Sequence, residues 1–99
     1  MEIRIQSVRF DATSALEKFI QKKVAKLAQY YEGILSAEVT LKVTKPETVA
    51  NKEALIRLNI SGRDLFASKT CDTFEESIDE AVEALEKQLK RHKDKIRSK

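Results

Sequence analysis

The spacing of apolar residues in this chain switches from two to about 3.6, back to two, and finally to 3.6 again. That sequence of periods limits the fold more than any other feature. Ile3 and Ile5 alternate with Glu2, Arg4 and Gln6, which predicts a first strand over about Glu2 to Val8. Leu16, Phe19, Ile20, Val24, Leu27 and Tyr31 then form one helical stripe, predicting a helix from Ser14 to Glu32. Thr13, with Asp11 as competitor, is placed to cap its start, and Gly33 to end it as a left-handed cap. Ala37, Val39, Leu41 and Val43 alternate with Glu38, Thr40, Lys42 and Thr44, so a second strand begins there.

After a loop over Lys45 to Asn51, which contains Pro46, a third strand buries Ala54, Ile56, Leu58 and Ile60. Gly62-Arg63-Asp64 separates it from a shorter fourth strand, Leu65 to Thr70. Thr73-Phe74-Glu75-Glu76 reads as a capping box. It opens a helix whose row of Ile78, Ala81, Val82, Leu85, Leu89 and Ile96 carries it to about Arg97. Such a helix is about 36 Å long, so its last turns are expected to project beyond the sheet. The predicted order is βαβββα, an α+β two-layer fold with a four-stranded mixed sheet and both helices on one face. Strands two to four form an antiparallel meander, and strand one joins strand two in parallel through a right-handed helical crossover. The 99 residues are expected to make a single domain, 1–99.

Composition removes several function classes. No apolar run exceeds three residues, so no transmembrane helix is expected. The Met1-Glu2-Ile3-Arg4 start lacks a secretory signal, which predicts a cytoplasmic protein. One cysteine and one histidine allow neither an internal disulfide nor a Cys/His metal cluster. With no Gly-rich phosphate loop and no placed nucleophile, the expectation is no enzyme, no metal, no cofactor and no small-molecule substrate. Cys71 reads as a small, buried or half-buried side chain. Of Tyr30 and Tyr31 one is expected in the core, and no series of base-stacking aromatics is visible.

Charge is where the sequence points to a partner. Between Glu75 and Glu86 there are six acids and no base, whereas Lys87 to Lys99 holds seven bases against Asp94 alone. Acids at a helix start and bases at its end both suit the macrodipole, by about 0.3 to 1 kcal/mol each. That accounts for the direction of the gradient. It does not account for seven bases, because the effect fades beyond the terminal turn and like charges repel. Lys18, Lys22 and Lys26 form a second cluster, a ridge at i, i+4 and i+8 with no acid three or four residues away. Lys23 lies at the edge of the apolar stripe, where its stem covers apolar surface and its ammonium is held near that edge. His92 sits at the boundary of the apolar row. If the helices pack side by side, both clusters lie on the helical side and offer roughly eight to ten cations to a phosphate backbone. Lipid headgroups are the competing anion, but the apolar row that a membrane-surface helix exposes is committed here to the core.

The stretch Leu85-Glu86-Lys87-Gln88-Leu89-Lys90-Arg91-His92-Lys93-Asp94-Lys95 resembles the closing signature of the short ribosome hibernation promoting factors, also called ribosome-associated inhibitors or subunit-interface proteins. Thr73 to Asp79 is similar to that family's preceding helix start, and Phe19 to Tyr31 resembles its first helix, so the likeness runs end to end. The family fold resembles a double-stranded-RNA-binding domain with an added N-terminal strand. The resemblance implies a factor that binds small-subunit rRNA, in isolated subunits or the 70S ribosome, in the channel used by messenger and transfer RNA. It would block translation there by occupancy during stress or stationary phase. Contacts would come from Lys23 and Lys26 and from Lys87, Lys90, Arg91, Lys93 and Lys95. With Lys22 of the ridge and His92 of the signature, these form the candidate RNA-binding set. The chain departs from the pattern at Ala84, often basic in the family, and at Glu75, often aromatic. Long members continue into a second domain that pairs ribosomes, and this chain looks like a short form without it.

Two other readings are open from sequence. A general double-stranded RNA binder is the nearer one, although Glu75 and Glu76 stand where such domains begin their last helix with phosphate-gripping lysines. An adaptor whose basic tail docks an acidic protein is the other.

Overall fold

The computed structural model describes residues 1–8, 10–44 and 50–97, with side chains as far as Asp94. Its order is β1 (Glu2–Val8), α1 (Ser14–Ala25), a 3-10 turn (Lys26–Gln29), β2 (Ile34–Val43), β3 (Lys52–Ile60), β4 (Arg63–Cys71) and α2 (Phe74–Arg97). The sheet runs β1-β2-β3-β4, with β1 parallel to β2 and the other neighbours antiparallel. Most of the loop predicted around Pro46 lies outside the described residues, as does the side chain of Ile96.

Register turns the two-residue period into a core. Ile3, Ala37, Leu58 and Leu65 form one cross-strand row, and Ile5, Val39, Ile56 and Ala67 the next, all on the same face. Both helices pack there, α2 across β3 and β4 and α1 beside it. Ile20, Val24 and Leu27 on the first helical segment, and Ile78, Ala81, Leu85 and Leu89 on α2, are fully buried. Each large side chain among them contributes about 1.5 to 3 kcal/mol of transfer free energy. On the opposite face Phe66 is exposed, and Arg57 pairs with Glu38 at 2.7 Å and Asp64 at 3.8 Å.

Helix ends follow from specific hydrogen bonds. The Thr13 hydroxyl oxygen accepts from the Leu16 N–H at 3.1 Å, so Thr13, not Asp11, is the cap of α1. At α2 the Thr73 oxygen accepts from the Glu76 N–H at 3.1 Å, which is half of a capping box. The Glu76 carboxylate lies 3.4 Å from the Thr73 hydroxyl, in place of the reciprocal bond to the cap N–H.

The structure corrects three local expectations. The first helix does not continue in α form to Glu32: it ends at Ala25 and tightens into the 3-10 turn, closed by Tyr30 N–H donating to Leu27 O at 3.0 Å. That turn keeps Leu27 buried while Tyr30 and Tyr31 pack, half-buried, against the core. Gly33 is not a left-handed cap, since Gly62 is the glycine with positive φ, at 89°. Gly33 is small for another reason, because a Cβ there would lie 2.5 Å from Cε2 of Tyr31. The β3–β4 turn is Ser61-Gly62, with Ile60 already paired to Arg63, so β4 starts two residues earlier than the pattern suggests.

Candidate nucleic-acid interface

The candidate cations are built on the two helical elements. Lys18 and Lys22 point to solvent from α1, but the ridge does not extend unbroken to Lys26, which opens the 3-10 turn. Lys26 instead lines a groove of about 620 Å³ between the helical segments, together with Lys23, Tyr30, Asp79, Val82, Glu83 and Glu86. Lys23 leans 5.5 Å above the Phe19 ring and reaches Asp79 Oδ1 of α2 at 3.0 Å. Three acids of α2, Asp79, Glu83 and Glu86, therefore share that groove with Lys23 and Lys26, ahead of the basic end of α2. The two clusters share the helical side without merging along its whole length.

They approach each other at Tyr30. The Lys90 ammonium sits 5.3 Å from the centre of that ring, which lines the same groove as Lys26. Two residues further along α2, His92 meets Tyr31 edge-on, with centroids 5.0 Å apart and planes at 89°. These contacts pin the C-terminal half of α2 to the end of the first helical segment. The bases around Lys90 are thereby carried on a rigid helix. Lys87 lies 3.9 Å from Glu83, an exposed i,i+4 pair of small energetic consequence. Arg91 is exposed on the flank that faces β4, and Lys93 is half-buried. The backbone of Lys95 continues α2, and its side chain lies outside the described residues.

Sequence reasoning missed the β4 flank. Arg63 and Lys69 share the strand parity of Leu65 and Ala67, so both emerge on the helix-bearing side at the sheet edge. There they line two adjoining concavities with Gln88 and Arg91. Strand parity is the signal that carries this placement, against the ordinary assignment of a charged strand residue to the solvent face. The acids opposite Lys23 were equally hidden, since Asp79 is distant from it in sequence.

Cys71 is half-buried, and its thiol donates to Glu80 Oε2 at 2.9 Å. That bond, followed by burial, raises its pKa above the ordinary value. With Glu76 the two bring ligand atoms within 4.8 Å of one another, a trio assembled across β4 and α2 that spacing along the chain does not reveal. Among the described residues no helix is long and apolar enough to cross a membrane.

Residues 3–97 match the family described as Sigma 54 modulation protein / S30EA ribosomal protein. The chain belongs to that family. Among curated members, the ribosome hibernation promoting factor of Salmonella typhimurium is 34% identical over 98% of both chains. That of Escherichia coli K12 is 32% identical over the same shares. The crystal structure of the Thermus thermophilus Protein Y N-terminal domain superposes with a TM-score of 0.79 at 28% identity, covering 93% of this chain and 99% of the other. A ribosomal subunit interface protein from Coxiella burnetii has a TM-score of 0.85 over 95% and 99% of the two chains, and at 20% identity it speaks to the fold alone. Members of this S30EA family are non-enzymatic ribosome-binding proteins. Within that frame, the basic end of α2 is the feature of this chain for which a ligand has to be named.

Proposed function

We propose that this protein is a ribosome hibernation factor, a single domain over residues 1–99 that works in the cytoplasm. It binds small-subunit rRNA in the messenger and transfer RNA channel, in free subunits or 70S ribosomes, and stops translation by occupying it during stress or stationary phase. Lys22, Lys23, Lys26, Lys87, Lys90, Arg91, His92, Lys93 and Lys95 are the contact residues. Family membership supports the ribosomal partner. The carrying observation is local: Lys90, Arg91 and Lys93 project from a helix held in place by buried Leu85 and Leu89 and by the Tyr30 and Tyr31 contacts. In that stretch Asp94 is the lone acid.

An array of fixed cations on a stiff helix gains from releasing counterions condensed on phosphates, and it loses little entropy in doing so. No bond is made or broken, so inhibition is by occupancy. The acidic first turn, Glu75 and Glu76, is exposed, which opposes a grip on RNA by that end of α2 and argues against a general duplex binder. A competition assay tests the reading. Purified small subunits bind the protein, and a messenger analogue with initiator transfer RNA displaces it. Equal affinity for a plain RNA duplex, or simultaneous binding of protein and messenger, contradicts it.

A further inference from the structure

We propose that the concavity between the start of β4 and the C-terminal half of α2 is a phosphate site for the RNA backbone, built by Arg63 opposite Arg91. This rests on the rRNA-binding reading above and adds a second flank to it, on the β4 side of α2. The concavity has a volume of about 430 Å³ and is lined by Arg63, Leu65, Gln88, Arg91 and His92, with no carboxylate among them. Among the described residues neither arginine forms an ion pair, in contrast to Lys23, Lys87 and Arg57.

The walls are firm. Leu65 is 3% exposed and forms part of the core, and Gln88 is anchored by donating its side-chain amide to Phe66 O at 2.9 Å. Two guanidinium groups above an apolar floor suit a phosphodiester, because each presents a planar fork of donors matched to phosphate oxygens. A neighbouring concavity of about 360 Å³ shares Gln88 and Arg91 and adds Lys69 and Lys87, but Glu80 and Glu83 also line it. The favourable potential is therefore concentrated at the Arg63 end. Arg63 and Lys69 are six residues apart on β4, a separation of about 20 Å in a strand, so the groove is long enough to follow a strand rather than a lone ion.

The test is binding of the full chain to purified small ribosomal subunits across a series of salt concentrations. Arg63→Ala is expected to weaken binding about tenfold to a hundredfold at low salt, the effect of losing hydrogen bonds to a charged group. The slope of log affinity against log salt is expected to fall by about 1. Arg63→Lys keeps the charge without the fork, so it retains the slope and loses part of the affinity. As a measurement that needs no variant, Arg63 in the complex is expected to resist an arginine-specific reagent that modifies it in the free protein. Wild-type affinity and slope for Arg63→Ala, or an unprotected Arg63, overturns the phosphate site. If that happens while charge reversal at Lys90, Arg91 and Lys93 still abolishes binding, the rRNA reading stands without the site. Absence of subunit binding by the wild-type protein ends both.

Discussion

The Lys23 ammonium of α1 lies 3.0 Å from the Asp79 carboxylate of α2, so one of the candidate RNA contacts is held by an acid of its own chain. Both side chains keep solvent access, at 32% and 52% exposure, which limits the pair to about 1 kcal/mol or less. Asp79→Asn is accordingly expected to change unfolding free energy by no more than that. It releases Lys23 and removes a negative charge from the groove, so binding to small subunits becomes tighter and more salt-sensitive. Chemical denaturation and a salt titration of binding check the two halves; weaker binding would mean that the pair orients Lys23 for its contact.

Changing Lys90, Arg91 and Lys93 together to Glu is expected to leave the fold nearly intact: the exposed Lys90 and Arg91 and the half-buried Lys93 matter by about 0.5 kcal/mol each as charges, and losing the Lys90–Tyr30 contact adds about 0.5 to 1 kcal/mol. Ribosome binding is expected to be lost. Circular dichroism melting and cosedimentation separate these outcomes. Binding retained at moderate salt would place the contact surface elsewhere.

Leu85 is fully buried under α2, so Leu85→Ala leaves a cavity. The expected cost is about 2 to 5 kcal/mol, read by urea denaturation. Any loss of binding is expected to follow the folded fraction rather than to exceed it.

Gly33→Ala tests the contact that aligns the end of α2. The added Cβ would lie 2.5 Å from the Tyr31 ring, so the ring must swing away and give up its edge-on contact with His92. A cost of about 0.5 to 1.5 kcal/mol is expected, along with a change in the His92 ring resonances by NMR. Unchanged resonances would show that the backbone yields instead.

Cys71 has a pKa raised from 9.0, first by the bond its thiol donates to Glu80 and then by burial. The protonated form is the one stabilised in the fold. The contribution to stability is fully present below about pH 9, the unfolded value, and is lost as pH rises through the higher folded value. Alkylation requires the thiolate, so Glu80→Gln is expected to accelerate modification of Cys71 in the folded protein. An unchanged rate would mean that access, not the Glu80 bond, protects the thiol.

Much of the architecture follows from periodicity because burial enforces it. The alternation through Val39 and Ile56 matches the observed cross-strand row, and the apolar row from Ile78 to Leu89 matches the buried face of α2. What periodicity could not supply was anything set by contacts across elements. The 3-10 turn depends on how Leu27, Tyr30 and Tyr31 pack, Gly33 depends on where the Tyr31 ring lies, and the Lys23–Asp79 pair depends on two helices meeting. For the interface, the density of bases from Lys87 onward was plain from the sequence. Its division into an α1 flank through Lys90 and Tyr30 and a β4 flank through Arg91 and Arg63 needed the sheet edge to be known.

The measurement that bears most directly on this account is a cryo-EM map of small ribosomal subunits bound to the full chain. The account predicts density for this fold inside the messenger and transfer RNA channel, with Lys90, Arg91 and Lys93 against rRNA phosphates. Density on the outer surface of the subunit, or in the channel with the basic end of α2 facing solvent, would contradict it.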